Sequence, residues 1–273
     1  MRVSLVVTTY ERPDALAAVL ATVAAQRRAP DEIVVADDGS GPATRSVVDA
    51  FAARARVPVA HVRQEHAGFR AARLRNLAIA ACRGEYVVFI DGDMWLHAEF
   101  IGDHAAAARP GAFVQGMRIP LDEDATRAAL ALSRTQGDRE PPRTRGLRRL
   151  YAVHVPALAR ASLRIAGGVV ATKSCNLAAW RADLLAVNGF DEAFVGWGPE
   201  DKELVARLVH LGRRRHTLVF GGIAWHLHHP PVARDRRTAN EAILRDTLAR
   251  RTVRCRQGLD RHLAAGSPPT AHS

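Results

Sequence analysis

The sequence predicts an α/β fold, a mostly parallel central sheet covered by helices on both faces. Two observations carry this. Through residues 1–120, short apolar runs alternate with stretches of helical spacing, and strands that alternate with helices pack as parallel sheets buried on both sides. Polar clusters also follow directly after three of the runs, where open α/β sheets bind their ligands.

Taken in order, the strand-like runs are 3–8, 32–36, 57–62 and 86–90, with a fifth at 112–116. Helical spacing fills 14–26, 43–56 and 69–83, and Pro13 suits a first helical turn, where its missing N–H costs nothing. From Leu121 to Ile165 the pattern breaks down into an Arg-rich stretch with Pro141-Pro142 and a turn at Gly137-Asp138. It reads as a linker or mobile insertion, residues 121–166. A helix is expected at 199–211, strands at 217–220 and 223–227, and a long basic helix over 238–263 with Leu244, Leu248, Cys255 and Leu259 near one face. Residues 264–273 read as a disordered tail. The expected organisation is therefore two halves of one domain, 1–120 and 167–230, joined by the insertion and followed by a C-terminal helical extension over 231–263.

The chain has 273 residues, 48% of them hydrophobic, enough for one large core. No run approaches the roughly 18 apolar residues that span a bilayer. The opening MRVSLVVTTYERP has too short an apolar stretch for a secretory signal and no small-residue cleavage site, so it reads as a first strand and the protein as cytoplasmic. Cys82, Cys175 and Cys255 show no C-x-x-C spacing and read as buried thiols. The net charge of +11 is carried almost entirely by arginine. It fits an anionic partner or a solvated Arg-rich surface equally well.

Three clusters carry chemistry. Asp91-Gly92-Asp93 closes the apolar run Tyr86–Ile90; two carboxylates one residue apart there can reach one divalent cation, and hard oxygen ligands suit Mg²⁺ or Mn²⁺. Trp225-His226-Leu227-His228-His229-Pro230 offers imidazoles. Strand alternation points His226 and His228 to one side, and one of them completes the Asp93 site. Gly196-Trp197-Gly198-Pro199-Glu200-Asp201 places an indole, on which sugar rings stack, beside two carboxylates that open a helix. There the helix dipole favours the ionised form, able to take a proton from a hydroxyl.

The segments SLVVTTYERPDAL, EIVVADDGS, GFRAARLRNLAI, GEYVVFIDGDM and NGFDEAFVGWGPEDKELVARL resemble bacterial family 2 glycosyltransferases of the GT-A fold, a Rossmann-like architecture. The second half resembles the galactosyltransferase-type C-terminal module found also in chondroitin polymerases. The resemblance covers 2–120 and 167–230. It implies a metal-dependent inverting transferase that takes a UDP-sugar donor, with Mn²⁺ or Mg²⁺, and a carbohydrate or lipid-linked glycan acceptor, in cell-surface polysaccharide or lipopolysaccharide assembly. By the same resemblance Thr8, Tyr10, Glu11, Arg12, Asp38, Arg73, Arg75, Asn76, Asp91, Gly92, Asp93, Gly168, Lys173 and Asn176 fall on the donor side. Trp197, Gly198 and Glu200 fall on the acceptor side and Asp201 is the base. Asp93, Asp91 and His226 are metal ligands, with His228 as the alternative imidazole. Pro199 stands where galactosyltransferases often carry glycine.

Other classes fit less well. A nucleotidyltransferase would want a glycine-rich loop after the first strand, and Thr8-Thr9-Tyr10-Glu11-Arg12 has none; a dinucleotide oxidoreductase would want G-x-G-x-x-G after a strand. A nucleic-acid-binding protein would interleave aromatics with its arginines, whereas these arginines concentrate in 121–166 and 234–261 with few aromatics among them. The expectation is no nucleic acid, with the basic segments making peripheral contact with an anionic membrane at the inner face of the cytoplasmic membrane, or serving as a solvated surface.

Overall fold

The computed structural model describes residues 1–136, 147–164, 172–230 and 237–263. In chain order the elements are β1 (Val3–Thr9), α1 (Pro13–Ala24), β2 (Glu32–Asp37), α2 (Pro42–Ala52), β3 (Val59–Arg63), α3 (Ala71–Ala81), β4 (Tyr86–Asp91), β5 (Met94–Leu96) and α4 (Phe100–Ala107). Then come β6 (Ala112–Gly116), β7 (Arg118–Pro120), α5 (Glu123–Gln136), a 3-10 turn at Leu147–Ala152 and α6 (Pro156–Ser162). The second half holds β8 (Asn176–Trp180), α7 (Arg181–Ala186), α8 (Glu200–His210), β9 (Arg214–Leu218), β10 (Ala224–His226), α9 (Arg237–Arg250) and α10 (Asp260–Leu263).

Seven strands form one sheet in the order β3-β2-β1-β4-β8-β6-β9. All neighbouring pairs are parallel except those of β8, which runs antiparallel to β4 and β6. The expected mostly parallel α/β sheet is present. Apolar side chains on successive residues point to opposite faces, so β1 sends Val3, Leu5 and Val7 into a core under α1 and α2. Val6, with Val34 and Phe89, enters a second core under α3 and α8. A smaller sheet, β5-β10-β7, stands beside the large one, and Trp95, Ile119 and Trp225 bury its face.

The chain runs β1 to β2 to β3 in one direction and then returns to place β4 on the other side of β1. Between β1 and β4 lies the switch point, where the loops after adjacent strands part and leave a crevice.

Three expectations are corrected. The stretch 121–166 is not simply a linker: α5 and α6 fold within it, and Leu121, Thr126, Ala129, Ala159 and Ser162 are buried. Its apolar residues cover the small sheet, which sequence periodicity did not announce. The long helix 238–263 ends at Arg250, because Arg251 takes a left-handed φ of 50°. The chain then folds back to bury Cys255 and Leu259 against Asn188, whose O accepts from Leu259 N at 2.9 Å and whose Nδ2 donates to Cys255 O at 3.0 Å. Finally, the expected strands 217–220 and 223–227 are Arg214–Leu218 and Ala224–His226. All three cysteines are free and buried. Among the described residues no helix is long and apolar enough to cross a membrane. The expected tail 264–273 lies outside the described residues.

Candidate active site

A cleft of about 690 Å³ opens at the carboxyl ends of β1, β2 and β4. Tyr10, Asp38, His66 and Phe69 line it with Thr8, Arg75, Asp91, Gly92 and Asp93, and so do Arg12, Arg118, Trp197, His226 and His229; Gly196 N donates to Phe69 O at 2.8 Å and ties the Trp197 loop to the β3–α3 loop.

The floor follows from strand register. Thr8 pairs with Asp91 across β1 and β4, and Thr8 Oγ1 donates to Asp91 Oδ1 at 2.8 Å. Gly92 N then donates to Thr8 O at 2.6 Å. A Cβ at Gly92 would stand 3.0 Å from that oxygen, so the tight turn between the two carboxylates favours glycine.

His226 ends β10, opposite Met94 of β5. This antiparallel pairing, with Leu227 N donating to Asp93 O at 2.9 Å, brings the imidazole to the carboxylate of Asp93. Asp93, His226 and His229 hold ligating atoms all within 4.8 Å of one another, both Nε2 atoms being 3.5 Å from Asp93 Oδ2. Burial, with Arg118 nearby, lowers His226 to about 4, so its ring is neutral at pH 7 and has a lone pair to offer. Burial and the Asp91 charge push Asp93 up to about 6. Its Oδ1 is buried without a hydrogen-bond partner among the described residues, while Oδ2 takes Arg12 Nη1 at 3.1 Å. One carboxylate and two imidazoles whose ligating atoms gather within 4.8 Å fit a divalent cation, and the nitrogen ligands suit Mn²⁺ better than Mg²⁺.

Two of the expected metal ligands stand apart from this group. His228 is exposed and outside the cluster, since the strand stops at His226 and alternation no longer governs the chain; its backbone N donates to Thr126 Oγ1 at 2.7 Å. His229 stands in the group where His228 was expected. Asp91 also lies outside this group, its Oδ1 taking Thr8 Oγ1 at 2.8 Å and Arg75 Nη2 at 3.4 Å.

On the far wall, Tyr10 lies stacked on His66 with centroids 4.3 Å apart and planes 11° apart. His66 Nδ1 is 3.2 Å from Asp38 Oδ2, and Gln64 holds the other oxygen of Asp38. Arg73 donates to Gln64 Oε1 at 2.9 Å, so it acts behind the cleft, positioning the residue that positions Asp38.

Four more donor-side residues build the frame instead of lining the cleft. Glu11, with a left-handed φ of 46°, accepts from Gly41 N at 2.7 Å and so fixes the start of α2. Asn76, fully buried, pins the turn before Glu192 by exchanging bonds with Phe190 N and O at 2.8 Å each. Asn176 donates to Met117 O and Gly222 O at 2.8 Å each and accepts from His104 Nε2 at 2.8 Å. Lys173 is exposed, its backbone held by Gln115. Gly168 lies outside the described residues. Asn and Glu are equally at home in frames and in sites, so residue type alone did not separate them.

The acceptor-side loop is clamped from behind. Asn240 Nδ2 of α9 donates to Val195 O at 3.1 Å and Trp197 O at 2.9 Å. A Cβ at Gly198 would stand 2.6 Å from that nitrogen, so Gly198 permits the clamp, and Trp197 faces the cleft. Glu200, buried, accepts from Arg75 Nη1 at 3.0 Å. Burial nevertheless pushes Glu200 up to about 7, against the expectation that the helix dipole keeps it ionised: desolvation outweighs the dipole here. Asp201 is also raised by burial, with Oδ2 3.3 Å from Ser174 N and Oδ1 2.7 Å from Lys202 N. It does not line the cleft.

Sequence reasoning missed His66, Phe69, Arg118 and His229. Phe69 and His229 lie within the segments GFRAARLRNLAI and Trp225–Pro230 without a role expected of them; Arg118 and His66 come into the site only through β7 and the β3–α3 loop.

With this geometry in place, comparison with known families is decisive. Residues 4–162 match "Glycosyl transferase family 2" and residues 157–230 match "N-terminal domain of galactosyltransferase". The chain belongs to glycosyltransferase family 2 and is a glycosyltransferase of the GT-A fold.

Among its relatives is validoxylamine A glucosyltransferase of Streptomyces hygroscopicus subsp. limoneus, 32% identical over 228 residues; the match covers 75% of this chain and 47% of the relative, so the chain spans about half that protein's length. The fold is similar to that of S. aureus TarS 1-349 in complex with UDP-GlcNAc, with a TM-score of 0.58, 18% identity, and coverage of 85% and 60% of the two chains. It is similar also to mannosyltransferase PcManGT from Pyrobaculum calidifontis in complex with GDP-Man and Mn²⁺, with a TM-score of 0.59, 20% identity, and coverage of 83% and 56%.

Proposed function

We propose that this enzyme transfers a hexose or N-acetylhexosamine from a UDP-sugar to a carbohydrate or lipid-linked glycan acceptor, in cell-surface polysaccharide assembly, with inversion at the anomeric carbon. The observation that carries the reading is the meeting, in one cleft, of the Asp93–His226–His229 group with the Tyr10–His66 stack and Trp197. A planar base suits the aromatic wall, and a sugar ring suits the indole. Support for a nucleotide-sugar donor comes from the related glucosyltransferase and from the UDP-GlcNAc and GDP-Man held by proteins of the same fold.

When bound, the cation at Asp93, His226 and His229 supplies positive charge for the leaving diphosphate. Arg12 and Arg118 line the same part of the cleft and add to that field. Asp38, held by Gln64 and His66, accepts hydroxyls of the donor ribose. Trp197 stacks on the acceptor, Glu200 orients its hydroxyl, and Asp201 takes its proton as the oxygen attacks the anomeric carbon. A single displacement, with no second carboxylate serving as nucleophile, inverts the configuration.

Calorimetric titration of UDP tests the reading. Binding is expected with Mn²⁺, and should fall sharply without the ion or in Asp93→Ala. Equal binding in all three conditions would remove the metal-dependent donor site; no binding in any would remove UDP as the carrier.

A further inference from the structure

The edge of the large sheet opposite the cleft carries a feature that the transfer reaction leaves unused. Because β1, β2, β3, β4, β6 and β9 are parallel, their amino ends share this edge. Exposed arginines stand before or at the start of most of them: Arg54 and Arg56 before β3, Arg28 before β2, Arg83 before β4, Arg109 before β6 and Arg214 opening β9. In the spatial order of the strands they form a strip across the whole sheet, roughly 30 Å long at about 4.8 Å per strand.

None of these six has a carboxylate partner among the described residues. Arg54 and Arg109 donate to backbone carbonyls, which leave their charge unneutralised. The acids of this edge are fewer than its arginines: Asp31 and Glu32 accept from backbone N–H groups and keep their charge, Glu85 lies 3.8 Å from the amino terminus, Glu99 pairs with Arg27 and Asp183 with Arg213. At the β3 end the strip borders an apolar groove of about 660 Å³ between α1 and α2, lined by Leu20, Val47, Phe51 and Val57, with Arg54 and Arg56 beside them.

We propose that this edge docks the enzyme on an anionic lipid bilayer, the arginines meeting phosphate-bearing headgroups and the groove facing the acyl region. The charge selects an anionic partner, and the groove selects one with an apolar part. A nucleic acid would instead use exposed rings for base stacking, and the exposed aromatic rings among the described residues, Tyr10, Phe69 and Tyr151, lie elsewhere. Sequence reasoning had assigned membrane contact to 121–166 and 234–261; the sheet edge is a separate surface, and it leaves the cleft facing the aqueous side.

The test is co-sedimentation with vesicles of phosphatidylcholine alone or with three-tenths phosphatidylglycerol. Wild type is compared with Arg28→Glu/Arg54→Glu/Arg56→Glu and with Arg145→Glu/Arg148→Glu/Arg149→Glu, each checked for folding by circular dichroism and thermal melting. Wild type should pellet with the anionic vesicles only. The edge variant should lose about 10²-fold or more in partitioning, given the attraction of each arginine to such a surface, and the insertion variant should keep most of it. Equal binding to neutral vesicles, retention by the edge variant, or loss only in the insertion variant would overturn the proposal. So would tighter binding to duplex DNA or heparin than to the anionic vesicles at the same salt.

Discussion

Replacing His229 by alanine, beside a parallel His228→Ala, separates the geometry of this site from strand alternation. The ligating atoms of Asp93, His226 and His229 lie within 4.8 Å of one another, so on the proposed reading losing His229 removes one of three protein ligands. Even second-shell changes weaken a metal site by about 10–100-fold, and about 100-fold is a fair expectation for a ligand. A cation at 100 times its Kd stabilises the folded state by about 2.7 kcal/mol. After a 100-fold loss the same concentration equals the Kd and contributes about 0.4 kcal/mol. The difference, about 2.3 kcal/mol, corresponds to roughly 4 °C of melting temperature for a chain of this size. Scanning fluorimetry with Mn²⁺ and with EDTA reads it directly. His228→Ala should keep the wild-type metal shift, because that side chain is exposed and outside the cluster. If the two variants lose the shift equally, or neither loses any, the assignment of His229 as a ligand is wrong.

Three further outcomes follow from individual contacts. Asp201→Asn should lower turnover by about 10²–10⁴-fold, the range for a general base, with UDP affinity unchanged in calorimetry; near-wild-type turnover would clear Asp201 of that role. Arg207→Met should cost about 3–5 kcal/mol in urea unfolding, because it strands the buried Glu203 carboxylate that Arg207 holds through two bonds of 2.7 Å; a loss under about 1 kcal/mol would show the pair to be idle. His104 is buried with Nε2 bonded to Asn176 and Nδ1 unpartnered, and burial lowers it to about 4. Between about 6.5 and 4 the unfolded chain takes up a proton that the folded chain refuses, so this group's stability, about 3 kcal/mol, is present above 6.5 and lost as pH falls towards 4. Unfolding free energies of wild type and His104→Gln, measured from pH 7 to 4.5, should therefore converge by about that amount as the pH falls; parallel pH profiles would refute it.

The fold was legible because its signals are local. Alternating apolar runs mark β1 to β4, and the turn residues after them mark the ligand edge. Thr8, Tyr10, Asp38 and Asp93 stand at or just after the ends of such runs and line the cleft, while the roles expected of them came with the family resemblance. What failed was long-range. His229 over His228 depends on where β10 stops, and that is set by its pairing with β5 across the small sheet. Asn76 and Asn176 were read as donor residues, yet each satisfies backbone groups more than 40 positions away. The helix over 238–263 carried a helical period but lost Cys255 and Leu259 to the core around Asn188, where burial outweighed continuation of the helix.

Arg75 shows most clearly how the two matched segments become one site. It lies on α3, within the segment 4–162, and its partner Glu200 opens α8, within 157–230. Burial opposes its charge, but Asp91, Glu200 and Asp201 more than offset that, so it stays protonated. Its guanidinium reaches Glu200 at 3.0 Å and Asp91 at 3.4 Å and lies 5.4 Å from the centre of the Phe190 ring. Without it, two carboxylates would face each other across a partly dry interior, where their repulsion is poorly screened. A lysine would keep the charge but lose the fork that reaches both carboxylates at once. On the proposed reading those carboxylates belong to opposite sides of the reaction, one below the donor and one beside the acceptor. The spacing between the two substrates is then set by a single buried arginine, which is why Arg75 belongs to the architecture of the cleft as much as to its donor wall.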